Sequence, residues 1–365
     1  MDFQPIAKYF GITGLIAHVE EIHSGNINRT FLVAVQTADS QKEYVFQRIN
    51  TFVFKKPEEV MDNILKVTEH IKAKLIETDG SYERRVLSFL VGEDGKPYYY
   101  TNSTRHFWRV YEYVNDTVAY DIMENPALFY EAGRSFGEFQ KRLSDFPAQT
   151  LAETIPNFHN TPVRMADFRR AVEQDLAGRR STVEEDIQFL LDREGECGIL
   201  QQKLDAGEIP YRVTHNDTKI NNILFDTQTN EGICVIDLDT IMPGTALYDF
   251  GDAVRYGAST ALEDEPDLSK VSLDLNLYEQ FTKGFLETMG SSMKEQELAL
   301  LPHSVKIMTL ELASRFLADY LNGDTYFKTR YEGHNLVRAR TQIQLARDIE
   351  SKWDEMCAIA LQYQG

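Results

Sequence analysis

Val213-Thr214-His215-Asn216-Asp217-Thr218-Lys219-Ile220-Asn221-Asn222-Ile223-Leu224 is the stretch that decides the fold of this chain. Short apolar ends flank a polar centre that carries a carboxylate, a lysine two residues later and an amide five residues later. Val235-Ile236-Asp237-Leu238-Asp239 follows, with Asp237 at the end of an apolar run. A hairpin turn accounts for an Asp or an Asn taken singly. It does not account for the whole set in this order, with an apolar strand leading into Asp237.

The chemistry that needs this set is phosphoryl transfer. It requires a carboxylate beside the attacking hydroxyl and oxygen ligands for the Mg²⁺ that offsets charge on the phosphates. A His-x-Asp-x-x-x-x-Asn loop supplies both within a few residues. Asp217 fits the base and Asn222 the metal-binding amide. Asp237 fits the second metal ligand, and Lys219 can neutralise the phosphate in transit. ATP with Mg²⁺ is therefore the expected co-substrate.

Working outward, the first third reads as β-rich. Short Val-, Ile-, Phe- and Tyr-rich segments at 15–22, 30–37 and 43–49 are separated by turn residues. A helix follows from Pro57, with Val60, Ile64, Val67 and Ile71 at helical spacing. Further strands are predicted at 84–90, 97–101 and 107–113, with Asp94-Gly95 as a hairpin turn. After Asn115 the pattern is helical over 126–143, 167–204, 274–289, 294–322 and 334–363, interrupted by one β-like region from 212 to 238. This order predicts an α+β chain with a bilobal protein-kinase-like fold. A small antiparallel-sheet N-lobe (1–114) would hold nucleotide, and a larger, mainly helical C-lobe (115–365) would carry the catalytic loop and the acceptor site.

In the N-lobe, the polar loop from His23 to Thr30 brings Gly25, Asn28 and Thr30 forward as phosphate contacts through backbone amides. Kinases usually place a lysine on the third strand. Here the third strand offers Arg48, which reads equally well as a surface arginine, with Glu59 or Glu69 as its partner. Tyr111, Glu112, Tyr113 and Val114 end the last strand at the expected adenine hinge.

Net charge is −19 over 365 residues, which argues against general affinity for nucleic acid or anionic membrane. Three scattered cysteines, no basic-then-apolar leader and no long apolar run predict a cytoplasmic chain with reduced thiols. No obligate protein partner is expected.

The catalytic loop and Ile236-Asp237 resemble the aminoglycoside phosphotransferase and choline kinase superfamily. More specifically, RVTHNDTKINNIL, IDLDTIMPGTALYDFGDAVRYGASTALEDE, RFLADYLNGDTYF and HNLVRARTQIQL resemble the bacterial N-acetylhexosamine 1-kinases. FGITG, WRVYEYV and ETIPNFHNTP extend the resemblance over nearly the whole chain. It implies Mg-dependent phosphorylation of the anomeric hydroxyl of N-acetylglucosamine or N-acetylgalactosamine. Asp217 would be the base, Asn222 and Asp237 the metal ligands, and Arg315 and Tyr326 would hold the sugar. Two departures stand out. Asn26 replaces a histidine placed near the sugar, and Gln47-Arg48 replaces a pair of glutamines. The competing readings are a relative acting on choline, homoserine, methylthioribose or an aminoglycoside, and a nucleotide-binding pseudokinase. Intact Asp217, Asn222 and Asp237 weigh against the pseudokinase.

Overall fold

The computed structural model describes residues 2–23, 27–121 and 125–364. Gly25 and Asn26 lie outside the described residues. The fold is α+β, with an antiparallel sheet in the N-terminal region and helices dominating the C-terminal region. Two compact units divide the chain. The first is Met1–Val118 with Gln149–Ile155 and Leu224–Met242; the second is Ala119–Ala148, Pro156–Ile223 and Pro243–Gly365.

The first unit opens with α1 (Gln4–Tyr9), then β1 (Leu15–Ile22), β2 (Arg29–Gln36), β3 (Gln41–Ile49) and α2 (Pro57–Asp79). β4 (Tyr99–Thr101) and β5 (His106–Glu112) complete a five-stranded sheet in the order β1-β2-β3-β5-β4. Alternation along the strands sends Phe31, Val33, Val35, Phe46, Trp108 and Val110 to one face, which α1 covers with Phe3, Ile6, Ala7 and Phe10. The Phe3 ring meets Phe31 at 5.0 Å and Trp108 at 5.7 Å, both edge-on. α1 has no counterpart in the sequence reading. At six residues it is too short to form without that apolar face to bury against.

The 84–90 segment differs from expectation too. It adds only an isolated bridge, Phe89 to Tyr111, so Asp94-Gly95 turns the chain without joining two paired strands. α2 carries the buried Asn63, whose Nδ2 donates to Ala152 O (2.8 Å) and Ile241 O (2.9 Å), while its Oδ1 accepts from Ala152 N (2.9 Å). One side chain thus ties two distant segments into this unit. β6 (Thr117–Val118) pairs with the strand Ile223–Asp226, which pairs with Gly232–Val235.

The second unit contains α3 (Pro126–Arg142), α4 (Thr161–Gln174), α5 (Glu184–Leu191), α6 (Glu194–Cys197), α7 (Ile199–Asp205) and the buried strand β7 (Arg212–Thr214). α8 (Ala246–Gly257), α9 (Leu275–Met289), α10 (Glu295–Ala299), α11 (Leu301–Leu321), α12 (His334–Ser351) and α13 (Trp353–Gln362) follow. The single helical pattern read at 167–204 is broken, because Asp175 and Gly178 take left-handed backbone conformations that end α4. The span 294–322 is split as well, where Pro302 starts α11 afresh. α3 and α9 approach so closely that a Cβ on Gly133 or Gly284 would collide with the backbone of the facing helix.

Candidate active site

The segment singled out from the sequence forms a braced loop in the second unit. Asp249, in the first turn of α8, accepts from the backbone N–H of His215 (2.9 Å) and of Asn216 (2.8 Å). Its Oδ2 also accepts from Gln140 Nε2 (2.6 Å), and its backbone oxygen accepts from Thr218 Oγ1 (2.7 Å). Burial drives the Asp249 carboxyl upward in pKa, against the opposing pull of His215 and these donors. Asp249 therefore braces the loop, while Thr245 Oγ1 caps the helix. Such a brace is needed because Asn216 sits at φ +64°, a left-handed conformation that costs about 1–3 kcal/mol for a non-glycine residue.

Asp217 follows Asn216, with Lys219 Nζ 2.9 Å from its Oδ1. Burial works against the Lys219 charge, but the Asp217 carboxylate outweighs it and raises the ammonium above the ordinary lysine range. Asn222 closes the loop by donating from Nδ2 to Asp217 O (2.8 Å). That bond uses the amide nitrogen and leaves the amide oxygen to accept.

Arg315 lies near the same loop. Its Nη1 is 3.5 Å from Glu311 Oε1, and Glu311 Oε1 is 2.9 Å from His159 Nδ1. His159 Nε2 in turn lies 3.2 Å from Asn216 O. The guanidinium packs on the rings of Phe158 (5.4 Å) and Phe327 (5.7 Å). Arg164 stands close by and donates twice to Phe158 O, both at 3.1 Å. Burial, then repulsion from Arg315, lowers its pKa. Tyr326 is 69% exposed, beside Phe327. Its turn is held by Asp319, which accepts from the N–H groups of Thr325 (2.9 Å), Tyr326 (2.8 Å) and Phe327 (2.9 Å). Asp319 shares a helix face with Arg315, but its carboxylate is spent on that turn.

In the first unit, Asp237 also has a left-handed backbone, φ +57°, at the head of a tight turn over Leu238–Thr240. The turn is pinned by Asp239, which is ion-paired with Arg109; the two side chains are only 4% and 3% exposed. Arg109 Nε donates to Gln47 Oε1 (2.9 Å), and Gln47 Nε2 to Thr30 Oγ1 (3.0 Å). Asn28 Nδ2 donates to Asp239 Oδ2 (2.5 Å), and Asn28 Oδ1 accepts from Asn50 N (2.9 Å). The side chains of Asn28 and Thr30 are thus engaged within the protein. Arg48 pairs in register with Trp108 and Arg29, on the sheet face that α1 covers. There it approaches His106 at 3.5 Å, and burial followed by repulsion from Arg29 lowers its pKa. The cation on the Gln47 face is Arg109, which the sequence reading left unassigned within the hinge stretch. A charged residue between Trp108 and Val110 on an apolar strand was the available signal.

At the strand end, Tyr111 packs against Phe89 with the rings tilted (5.0 Å), and burial raises its phenol above the ordinary tyrosine range. Glu112 N donates to Ser88 O and Tyr113 N to Glu43 O, both at 3.1 Å, while Val114 is buried.

Among the described residues no three His, Cys, Asp or Glu side chains gather to cage a cation. Asn222 keeps its amide oxygen free to accept in the second unit, and Asp237 heads its tight turn in the first.

A braced Asp–Lys–Asn loop in an α+β chain of this order is the arrangement expected of a phosphotransferase. Residues 18–281 match the phosphotransferase enzyme family (APH), and the chain belongs to it. Its fold is shared with a microcompartment-associated aminopropanol kinase (TM-score 0.61, 16% identity, covering 96% of this chain and 98% of that one). A spectinomycin phosphotransferase in complex with ADP and spectinomycin is also similar (TM-score 0.56, 12% identity, 99% and 97% covered). So is a choline kinase from Cryptosporidium parvum Iowa II (TM-score 0.53, 13% identity, 95% and 93% covered).

Proposed function

We propose that this protein transfers the γ-phosphoryl group of ATP to the anomeric C1 hydroxyl of an N-acetylhexosamine, N-acetylglucosamine or N-acetylgalactosamine, giving the sugar 1-phosphate. The observation that carries this reading is the bonded path from the Asp217 loop to Arg315. It ends at a guanidinium flanked by Phe158 and Phe327, with Arg164 nearby, which supports reading that guanidinium as the acceptor contact. Aromatic faces and guanidinium donors suit a neutral, hydroxyl-rich ring. The cationic heads of choline or an aminoglycoside would meet two arginines of like charge.

In this reading residues 1–114 hold nucleotide and residues 115–365 hold the loop and the sugar. Asp217 orients the C1 hydroxyl and accepts its proton, and Lys219, already beside Asp217, offsets charge on the phosphoryl group as it moves. Asn222 and Asp237 hold Mg²⁺, which supplies charge neutralisation on the phosphates when bound. Backbone amides at Gly25, Asn28 and Thr30 meet the phosphates; Arg48, on the sheet face that α1 covers and away from Asp239, is set aside as their cation. Tyr111, Glu112, Tyr113 and Val114 line the adenine. Arg315 and Tyr326 hold the sugar, and Asn26 tunes the contact. Among the described residues no helix is long and apolar enough to cross a membrane, and the small polar substrates fit a cytoplasmic setting.

The test is an ADP-release screen over free sugars, amino sugars and amino alcohols, followed by product analysis. Phosphorus–proton coupling to the anomeric C1–H is the expected result. Phosphate at C6, or faster turnover with choline or an aminoglycoside, refutes the substrate.

A further inference from the structure

We infer that His159 is a positioning residue which locks the acceptor-binding side of the site onto the loop that carries Asp217. The inference rests on the proposed function in taking Asp217 as the catalytic base and Arg315 as an acceptor contact.

His159 is 8% exposed and sits just before α4. Both of its ring nitrogens face acceptors: Nδ1 the Glu311 carboxylate at 2.9 Å, Nε2 the Asn216 backbone oxygen at 3.2 Å. Making both bonds at once requires a hydrogen on each nitrogen, the imidazolium form. Glu311, 1% exposed, supplies the countercharge. Burial would raise its carboxyl, but His159 and Arg315 outweigh that and hold it below the ordinary carboxylate range. Its second oxygen is fixed by Thr161 Oγ1 at 2.7 Å. From α8, Asp252 feels the His159 charge and the Tyr248 ring packs at 5.5 Å.

The two grips act on different things. The Nε2 bond holds the carbonyl of the strained Asn216, so it fixes the peptide plane from which Asp217 projects. The Nδ1 bond holds Glu311, which orients Arg315 one helical turn away. A buried charged pair is a poor way to gain stability compared with apolar packing. Its value here is geometric.

Two substitutions separate the grips. In His159→Asn the side-chain amide nitrogen falls near the place of Nδ1 and keeps the Glu311 bond. In His159→Gln it falls near the place of Nε2 and keeps the Asn216 bond. Each is assayed with MgATP and whichever acceptor the wild type phosphorylates, below its measured melting temperature. His159→Asn should lower kcat about tenfold with acceptor KM nearly unchanged, whereas His159→Gln should raise acceptor KM about tenfold with the smaller loss in kcat. The KM for ATP should stay constant in both. Equal effects of the two variants on kcat and acceptor KM, or wild-type kinetics in either, overturn the inference. Should neither variant fold, Glu311→Gln keeps the shape of the pair and carries the test. A lowered kcat together with a raised acceptor KM is then expected, and wild-type kinetics would overturn it. Arg315→Ala separates the underlying reading. An unchanged acceptor KM there removes Arg315 from the acceptor site, while the kcat effect of His159→Asn still decides the loop half.

Discussion

Replacing Arg109 by Met isolates the charge buried behind the Asp237 turn. The Arg109 and Asp239 side chains are 3% and 4% exposed, so in Arg109→Met the Asp239 carboxylate stays out of water and loses its counterion. Breaking such a pair from one side costs about 3–5 kcal/mol, against at most about 1 kcal/mol for an exposed pair. At roughly 2–4 °C per kcal/mol for domains of 150–250 residues, the melting temperature should fall by roughly 6–20 °C. Gln47 also loses a partner, but it is only half-buried and can turn to water. The double variant Arg109→Met/Asp239→Leu removes both charges and should recover most of the loss. Thermal melts of the wild type, both single variants and the double variant form the cycle. A loss under about 1 kcal/mol in Arg109→Met, or a double variant no better than the single, would refute the argument that this pair is buried and coupled. A second readout is thermal stabilisation by ATP with and without Mg²⁺. The double variant should show a weakened Mg-dependent part, because the turn that presents Asp237 has lost its pin.

Asp217→Asn should lower turnover by at least about a hundredfold while ATP binding, followed calorimetrically, persists. Asp237→Ala should weaken Mg-dependent nucleotide binding; unchanged Mg dependence would remove it from the metal site. Arg315→Ala should reduce kcat/KM for the acceptor by about ten- to a hundredfold and leave the KM for ATP alone. A small fall in melting temperature should accompany it, since Glu311 keeps His159 and Thr161 as partners. The buried carboxyls of Asp252 and Glu311 are both held below their ordinary range: burial opposes this, and Arg255 and His159 respectively outweigh it. Their contribution to stability is full above the unfolded values near pH 4 and is lost as pH falls through the lower folded values. Melts from pH 7 to 3 should show this loss, and Glu311→Gln should flatten part of it.

Local pattern carried much of the fold. Strand alternation and helical spacing depend on neighbours in the chain, so β1 and α2 appear where composition and Pro57 place them. The sequence by itself also determined the α+β class and the order Asp217, Lys219, Asn222, Asp237, since these are matters of spacing along one chain. What stayed hidden depends on remote partners. α1 exists because three separate strands offer its apolar residues a face to cover. Arg48 and Arg109 both read as strand cations, but only sheet register shows Arg109 opposite Gln47 and turned to Asp239, with Arg48 on the other face. A shift of one residue would exchange those faces, and nothing local forbids it. Nothing local in the chain around His159 marks its role. Its two acceptors come from Glu311, 152 positions away, and Asn216, 57 away, and hydrogen bonding over such separations is decided only when packing brings the groups within reach.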